Sequence, residues 1–171
     1  MTDKILIVDD EPFNLDLLEQ ELTDRGYTVE RAHDGAEALR TMEALRPDIV
    51  LLDYMMRGMS GLDVLRELQS RESEVPIIMM TAHGSIEVAV QAMKLGAYDF
   101  IEKPLSLEHT LLVTRRALSH RRLERANDML RHQLEERFHI VGESVPVKAL
   151  RKQIGIVAPT DSRVVVYGQR G

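Results

Sequence analysis

Residues 4–11 read KILIVDDE, an apolar run that ends in three consecutive acidic side chains. A polar residue follows a strand-like run three more times: Asp53 comes directly after 49–52, Thr81 comes directly after 77–80, and Lys103 comes after 98–101 with one residue between. Short apolar runs between helical patterns are typical of buried strands. Strands of a parallel sheet point the same way, so their carboxyl ends would bring these polar residues to one edge.

The chain alternates between strand and helix patterns up to about residue 104. We predict strands at 4–8, 28–32, 48–52, 75–80 and 98–101, and helices at about 12–25, 35–45, 61–71 and 85–95. The third and fourth strands contain continuous apolar runs and the fifth is apolar except for Asp99, as expected when helices cover both faces of a parallel sheet. This alternation predicts an α/β fold with a doubly wound, flavodoxin-like sheet of five parallel strands.

The composition is that of a globular protein, since 44% of the 171 residues are hydrophobic. The lack of cysteine excludes disulfides, thiolate metal sites and thiol nucleophiles, and it suits a reducing compartment. No apolar run reaches the ~18 residues of a membrane span, and the N-terminus lacks a signal-peptide pattern. We therefore expect a cytoplasmic protein without a membrane partner.

The formal net charge of −6 is unevenly distributed along the chain. Residues 1–104 carry 10 basic and 21 acidic side chains, whereas residues 105–171 carry 12 basic and 7 acidic ones. A change of sign along a chain commonly marks a change of role. The basic part could contact nucleic acid, but its cations are interleaved with acids such as Glu124 and Asp128, which favours a solvated helix face.

Residues 107 to about 137 contain neither proline nor glycine, and helix formers dominate there. We predict one long helix, docked on the sheet through Leu107, Leu111 and Leu118.

A second stripe on this helix, spaced by three and four residues, is typical of a coiled-coil dimer seam. It consists of Val113, His120, Leu123, Asn127, Leu130 and Leu134. Asn127 stands where a buried polar residue would fix the register of a dimer. Arg116 falls on the same seam, so a solvated linker helix is the alternative interpretation.

These patterns divide the chain into three parts: a globular domain at 1–120, a helix at 105–137 that continues into a dimerisation linker, and an incomplete second domain at 138–171. The last part has a helical pattern near 147–157, a strand-like run at 163–167 and the ending GQRG. A strand before G-x-x-G is similar to the opening of a phosphate-binding loop, although the usual lysine and hydroxyl do not follow it.

Three acids at one sheet edge would repel one another and raise at least one pKa, unless a cation neutralises them. Asp9, Asp10 and Asp53 offer only oxygen ligands, which favours a hard ion such as Mg²⁺. A phosphoryl group fits as the remaining partner, held between the metal, the Lys103 ammonium and the Thr81 hydroxyl. Solvated acidic loops and a Lys-Pro turn are the functionless alternatives.

Four segments together carry a resemblance to a known family: ILIVDDE (5–11), DYMMRGMSG (53–61), MMTAHG (79–84) and AYDFIEKP (97–104). In this order they are similar to the receiver domain of bacterial two-component response regulators, which has a flavodoxin-like (CheY-like) fold. The resemblance implies that Asp53 is the phosphoacceptor and takes its phosphoryl group from a sensor histidine kinase. Such a protein catalyses its own phosphorylation and dephosphorylation without being an enzyme in the ordinary sense.

The resemblance also implies how Mg²⁺ would be held. Asp10, Asp53 and the Met55 carbonyl would bind the ion directly, and Asp9 would act largely through water. A carboxylate nucleophile and a divalent ion that neutralises the transferring group suit this chemistry, which needs positioning above all.

The switch that reports phosphorylation is implied in the same way. Thr81 and Lys103 would hold the phosphoryl oxygens, and Phe100 takes the place of the family's aromatic switch residue. Lys103-Pro104 takes the place of the family's cis peptide bond. Thr81 moving toward the phosphate would open space for Phe100 and so change one face of the domain.

One position departs from the family pattern. The family usually has proline four residues after the phosphoacceptor, and this chain has Arg57. Proline fixes φ and lacks an N–H donor, so we expect a more mobile loop with an added cation near the site. Phosphorylation itself should survive the change.

Two residues should set the lifetime of the phosphoryl group because both would flank the path of an attacking water. Met55 is bulky, apolar and offers no general base, so we predict slow self-hydrolysis. His83 could be a base, a lid or simply a neutral surface residue.

The sequence of residues 140–171 is similar to the start of the central AAA+ ATPase domain of NtrC-type regulators, which activate sigma-54 promoters; its best-matching stretch is VAPTDS at 157–162. Because the glycine loop stops at Gly171, we expect that this chain does not hydrolyse ATP. Contacts with DNA and with sigma-54 RNA polymerase would require domains beyond this sequence.

Our leading hypothesis is a receiver domain that accepts a phosphoryl group on Asp53 and changes the arrangement of a homodimer, thereby controlling an attached AAA+ ATPase. The alternative is a receiver-like module that dimerises constitutively with little or no control by phosphate. A phosphatase is disfavoured because Met55 stands where a second catalytic acid would be needed. A flavin-binding module is disfavoured because the loop after the first strand is acidic.

Overall fold

The structure is a computed structural model that describes residues 2–81, 86–137, 142, 144–160, 163 and 165, with backbone alone at 86 and 134–137. The chain forms two compact units, Met1–Ala126 and Asn127–Gly171.

Five parallel strands form one sheet in the first unit, with the order β2-β1-β3-β4-β5. The strands are β1 (Lys4–Val8), β2 (Thr28–Ala32), β3 (Ile49–Asp53), β4 (Ile77–Thr81) and β5 (Asp99–Glu102). The helices between them are α1 (Pro12–Thr23), α2 (Gly35–Leu45), α3 (Gly61–Ser70) and α4 (Ile86–Lys94), and α5 (Leu107–Arg137) follows β5. The predicted flavodoxin-like fold is confirmed.

Local sequence explains where the helices next to the site begin. Pro12 opens α1, where a missing N–H costs nothing. The Asp34 carboxylate accepts the N–H of Glu37 and caps α2. Ser60 and Asp63 form a reciprocal capping box at the start of α3. These caps fix the ends of the helices that adjoin the carboxyl edge of the sheet.

The sheet is apolar on both faces because successive strand residues point to opposite sides. In β1, Leu6 and Val8 pack with α2 and α3, whereas Ile5 and Ile7 pack with α1 and α5. All four of these side chains are fully buried. The uninterrupted apolar runs of the sequence therefore fill two cores, one on each face.

The first part of α5 belongs to the second of these cores. Leu111 and Leu118 are buried as predicted, and Leu107 is half-buried. Val113 corrects our prediction: its side chain is only 2% exposed and packs in the core, so it does not belong to an exposed seam. The buried face of α5 is wider than the leucine spacing suggested.

Further along α5, the seam residues His120, Leu123, Asn127 and Leu130 are exposed, Leu123 by 71%. The side chain of Leu134 lies outside the described residues. The His120 ring lies against the Tyr98 ring, with centroids 5.7 Å apart. Whether these positions join two chains stays a prediction.

Arginines of α5 also bind the amino edge of the sheet. Arg122 pairs with Asp3 at 2.6 Å, and Arg125 pairs with Asp48 at 2.6 Å. Arg121 donates to the Glu74 carbonyl. These contacts fasten α5 at the edge opposite the acidic cluster.

The second unit contains α6 (Val145–Val157), which begins beside a proline and includes the predicted helical stretch 147–157. The Arg151 guanidinium donates to the Gly142 carbonyl at 2.8 Å. Apart from residues 163 and 165, the predicted strand at 163–167 and the loop at 168–171 lie outside the described residues. Among the helices that are described, none combines the length and hydropathy needed to cross a bilayer.

Candidate functional site

The carboxyl edge of the sheet gathers three carboxylates. Asp9 and Asp10 directly follow β1, and Asp53 is the last residue of the neighbouring β3. One oxygen of each carboxylate lies within 4.8 Å of the other two. Asp9 and Asp53 are buried, whereas the Asp10 side chain is 29% exposed. The predicted convergence of these acids is present in the structure.

Lys103 joins two members of this cluster. Its Nζ lies 2.8 Å from Asp9 Oδ2 and 3.0 Å from Asp53 Oδ1. Its main-chain N–H donates to the Thr81 carbonyl at 2.7 Å, which places both residues at the ends of adjacent strands. Thr81 is buried, with 3% of its surface exposed. The structure therefore brings the hydroxyl and the ammonium to the same edge as the acids.

The charge balance at this edge shifts the proton affinities. Burial raises the pKa of Asp53 to about 6, although Lys103 and the Met55 N–H stabilise the carboxylate, while the charge of Asp9 adds to the rise. Burial disfavours the Lys103 ammonium, but its bonds to Asp9 and Asp53 outweigh that cost and raise its pKa. At neutral pH Asp53 is mostly ionised, and its ionisation lowers the stability of the folded protein.

Asp9 has three hydrogen-bond donors around it. Besides Lys103, the Glu11 N–H donates to Oδ1 at 2.9 Å, and the Asn14 amide donates to Oδ2 at 3.0 Å. Asn14 was not among the predicted site residues, although an amide in the first turn of a helix that starts at the strand end is a signal for such a contact. With its oxygens already engaged, Asp9 suits the predicted role as a partner through water rather than as a direct ligand.

The loop after β3 runs close to the backbone of Asp53. A Cβ added at Gly61 would lie 2.3 Å from the Asp53 carbonyl oxygen. The Gly61 N–H donates to the Tyr54 carbonyl at 3.0 Å. Only glycine permits this approach, so the start of α3 is fixed tightly against the strand that ends in Asp53.

Other predicted site residues surround the cluster or fall outside the described part. Met55 is 63% exposed and Phe100 is 41% exposed. The peptide bond between Lys103 and Pro104 is cis, as the resemblance implied. His83 lies outside the described residues.

The donor set fits a hard divalent cation. The three carboxylates offer oxygens close together, and Asp10 is partly open to solvent. No other group of three or more such acidic or imidazole side chains occurs among residues whose positions are described.

Comparison with protein families identifies the main part of the chain. A family model described as the response regulator receiver domain matches residues 5–115. The chain is 40% identical to the nitrogen assimilation regulatory protein NtrX of Azorhizobium caulinodans over 173 aligned positions, covering 100% of the chain and 38% of that protein. It is 38% identical to the C4-dicarboxylate transport transcriptional regulatory protein DctD of Pseudomonas aeruginosa, covering 98% of the chain and 37% of that protein.

Solved structures give the same result. NtrX from Brucella abortus in complex with ADP superposes with a TM-score of 0.73 at 39% identity, over 95% of this chain and 37% of that one. A response regulator receiver domain protein from Clostridium thermocellum gives a TM-score of 0.67 at 31% identity, over 71% of this chain and 98% of that one. The chain thus spans less than two fifths of the length of the curated relatives described above.

Proposed function

The chain belongs to the response regulator receiver family, and from that premise we propose that Asp53 accepts a phosphoryl group from the phosphohistidine of a sensor histidine kinase. One observation carries the proposal: Asp53 ends a buried strand with a carboxylate that contacts Lys103 and lies beside two further acids. Its pKa of about 6 leaves it mostly ionised at neutral pH, as a nucleophile must be.

The transfer requires little covalent chemistry from the protein. An Asp53 oxygen forms a bond to phosphorus while the P–N bond to the kinase imidazole breaks, and the electron pair of that bond stays on the nitrogen. Lys103 and the Thr81 hydroxyl hold the oxygens of the incoming group. The two residues lie at the ends of adjacent strands and are joined by the hydrogen bond from the Lys103 N–H to the Thr81 carbonyl. This fixed spacing supports their role in positioning the phosphoryl group.

Mg²⁺ would be held by Asp10, Asp53 and the Met55 carbonyl, with Asp9 acting through water. When bound, the ion neutralises charge on the transferring group and helps to orient it. The proximity of the three carboxylates and the partial exposure of Asp10 support this assignment.

The readout proposed for this reaction is a change at Thr81 and Phe100. Thr81 moves toward the bound phosphoryl group, and Phe100 turns inward into the space released. The present exposure of Phe100 suits the unphosphorylated arrangement of such a switch. Lys103-Pro104 completes the switch by holding the ammonium at the end of β5.

The proposed output is a changed homodimer that controls an attached AAA+ ATPase and thereby sigma-54-dependent transcription. The exposed apolar residues Leu123 and Leu130 on α5 support a dimer contact. The regulatory names of the relatives support the rest, through domains outside this sequence. A constitutive dimer with little phosphate control is the second candidate, and the same exposed leucines favour it equally.

Mass spectrometry after treatment with acetyl phosphate and Mg²⁺ tests the acceptor. We expect one added phosphoryl group on the chain, none on Asp53→Asn, and full modification of the control Asp24→Asn, whose carboxylate is exposed and remote from the cluster. Modification of Asp53→Asn to the same extent would refute the assignment. Sedimentation with and without beryllofluoride and Mg²⁺ then separates the two outputs, since a constitutive dimer would not respond.

The lifetime of the phosphoryl group tests the role of Met55. An asparagine in its place would admit and orient water, so Met55→Asn should dephosphorylate several-fold faster. Slower loss of the phosphoryl group from this variant would contradict the proposal. His83→Ala separates a base, whose removal slows hydrolysis, from a lid, whose removal speeds it.

A further inference from the structure

Arg57 makes two contacts with one oxygen of Asp10. Its main-chain N–H donates to Asp10 Oδ2 at 3.3 Å, and its guanidinium Nε lies 3.9 Å from the same oxygen. The Arg57 side chain is 98% exposed and the Asp10 side chain 29% exposed. The contact therefore sits at the open side of the acidic cluster.

This contact completes a pattern of charge. Asp9 and Asp53 share the buried ammonium of Lys103, and Asp10 faces Arg57. Each carboxylate of the cluster thus lies beside a cation of the chain, although three carboxylates face only two cations. The two loops joined by Arg57 and Asp10 are also those that carry the proposed metal ligands, after β1 and after β3.

We propose that Arg57 is a tethered counter-cation, which holds Asp10 while the site is free of metal and gives way when Mg²⁺ is loaded. This inference rests on the proposed Mg²⁺ site. Its consequence is a weaker affinity for Mg²⁺, for two reasons. The positive guanidinium of Arg57 repels the ion, and the Asp10 oxygen that would bind it already accepts a hydrogen bond from the Arg57 N–H. Arg57 would raise the Mg²⁺ concentration at which the domain becomes competent for phosphorylation.

The exposure of Arg57 limits the effect. Exposed ion pairs contribute little, so loss of the guanidinium alone should tighten binding by about two- to threefold. Loss of the N–H frees the Asp10 oxygen from a hydrogen bond, which should bring the total to about three- to tenfold. The two contributions are separable because alanine keeps the N–H and proline removes it.

Calorimetric titration of Mg²⁺ into the metal-free chain tests the inference without any phosphorylation assay. We expect Mg²⁺ to bind most tightly to Arg57→Pro, less tightly to Arg57→Ala and least tightly to the unaltered protein. Arg25→Ala is the matched control: it removes an exposed, paired arginine at the far end of α1 and should leave the dissociation constant unchanged. Raising the salt concentration should shrink the effect of alanine but not the further effect of proline.

Each possible result of this titration either supports the proposed role of Arg57 or overturns it. Equal dissociation constants for the protein and its Arg57 variants, or weaker binding by them, would overturn the role of Arg57 while leaving the Mg²⁺ site intact. Failure of the unaltered protein to bind Mg²⁺ would instead overturn the metal part of the proposed function, and this inference with it. If Arg57→Pro does not fold, Arg57→Glu replaces it, since charge reversal must tighten binding more than alanine does.

Discussion

The two edges of one sheet use the same side chain in opposite ways. At the amino edge, burial opposes the charge of Asp48, but the Lys4 N–H and Arg125 overcome it and lower its pKa. At the carboxyl edge, burial prevails over Lys103 and the pKa of Asp53 rises to about 6. The ionised Asp48 therefore stabilises the folded state, whereas ionisation of Asp53 destabilises it.

The difference lies in who supplies the cations. Asp3 and Asp48 have an arginine each, both from α5. Asp9 and Asp53 share one lysine while Asp10 faces a fully exposed arginine. An edge whose charges are balanced within the chain has a structural role, whereas an edge left short of positive charge is prepared for a ligand that brings it.

The largest expected effect comes from crowding the carboxyl edge. Gly61→Ala places a Cβ against the Asp53 carbonyl oxygen, so the start of α3 has to move. We expect urea denaturation to show a loss of about 3 kcal/mol in unfolding free energy. Gly155→Ala, in α6 and with open space around it, is the control and should leave the unfolding of the sheet unchanged. An unaltered midpoint for Gly61→Ala would show that the approach is less restrictive than the distance indicates.

Neutralising the carboxyl edge should stabilise the metal-free protein. The pKa of Asp53 in the folded protein, about 6, exceeds the ordinary aspartate pKa of about 3.9, so the folded chain retains a proton that the unfolded chain releases between these pH values. Its contribution to stability therefore falls as the pH rises from about 4 to about 6. Asp53→Asn should gain about 2 kcal/mol near neutral pH and nothing near pH 4, as measured by denaturation in the presence of a chelator. A lower unfolding free energy of Asp53→Asn near neutral pH would contradict the prediction.

The same substitution at the amino edge should have the opposite sign. The pKa of Asp48 is lowered, so its stabilisation is present above the unfolded pKa and disappears as the pH falls through the folded one. Asp48→Asn should cost about 1 kcal/mol near neutral pH, because the bond to Arg125 loses its charge. Denaturation curves at several pH values would check this, and a stabilising effect would contradict it.

The smallest effect concerns one arginine of that edge. The Arg125 side chain is 53% exposed, so Arg125→Ala should cost less than about 1 kcal/mol, and added salt should reduce the cost further. Arg131→Ala makes the same charge change at an exposed position further along α5 and serves as the control. Equal losses from both variants would mean that net charge, not the pair with Asp48, is responsible.

The sequence predicted what depends on local pattern. The alternation of strand and helix patterns identified all five strands, and the helix predicted at 107–137 has the bounds of α5. The polar residues after four of those strands predicted the cluster, because parallel strands bring their ends together whatever lies between them.

Long-range contacts were beyond that reasoning. Arg122 and Asp3 are 119 positions apart, and no periodicity connects them. Val113 was assigned to the wrong face because a docking stripe and a dimer seam have nearly the same spacing on one helix. The Arg57 N–H contact with Asp10 depends on a loop conformation that side-chain pattern does not encode.

The hydrogen bond that joins Lys103 to Thr81 has a consequence for how this architecture can change. The hydroxyl and the ammonium stand on one stiff piece of ladder rather than on two independent loops. The loops around this edge can lengthen without changing the distance between the two groups. A single residue inserted into β4 or β5 would turn the wrong side chain toward the edge, because neighbours in a strand alternate sides. The spacing between the Thr81 hydroxyl and the Lys103 ammonium, and so the room for a phosphoryl group between them, is thus set by the register of β4 and β5.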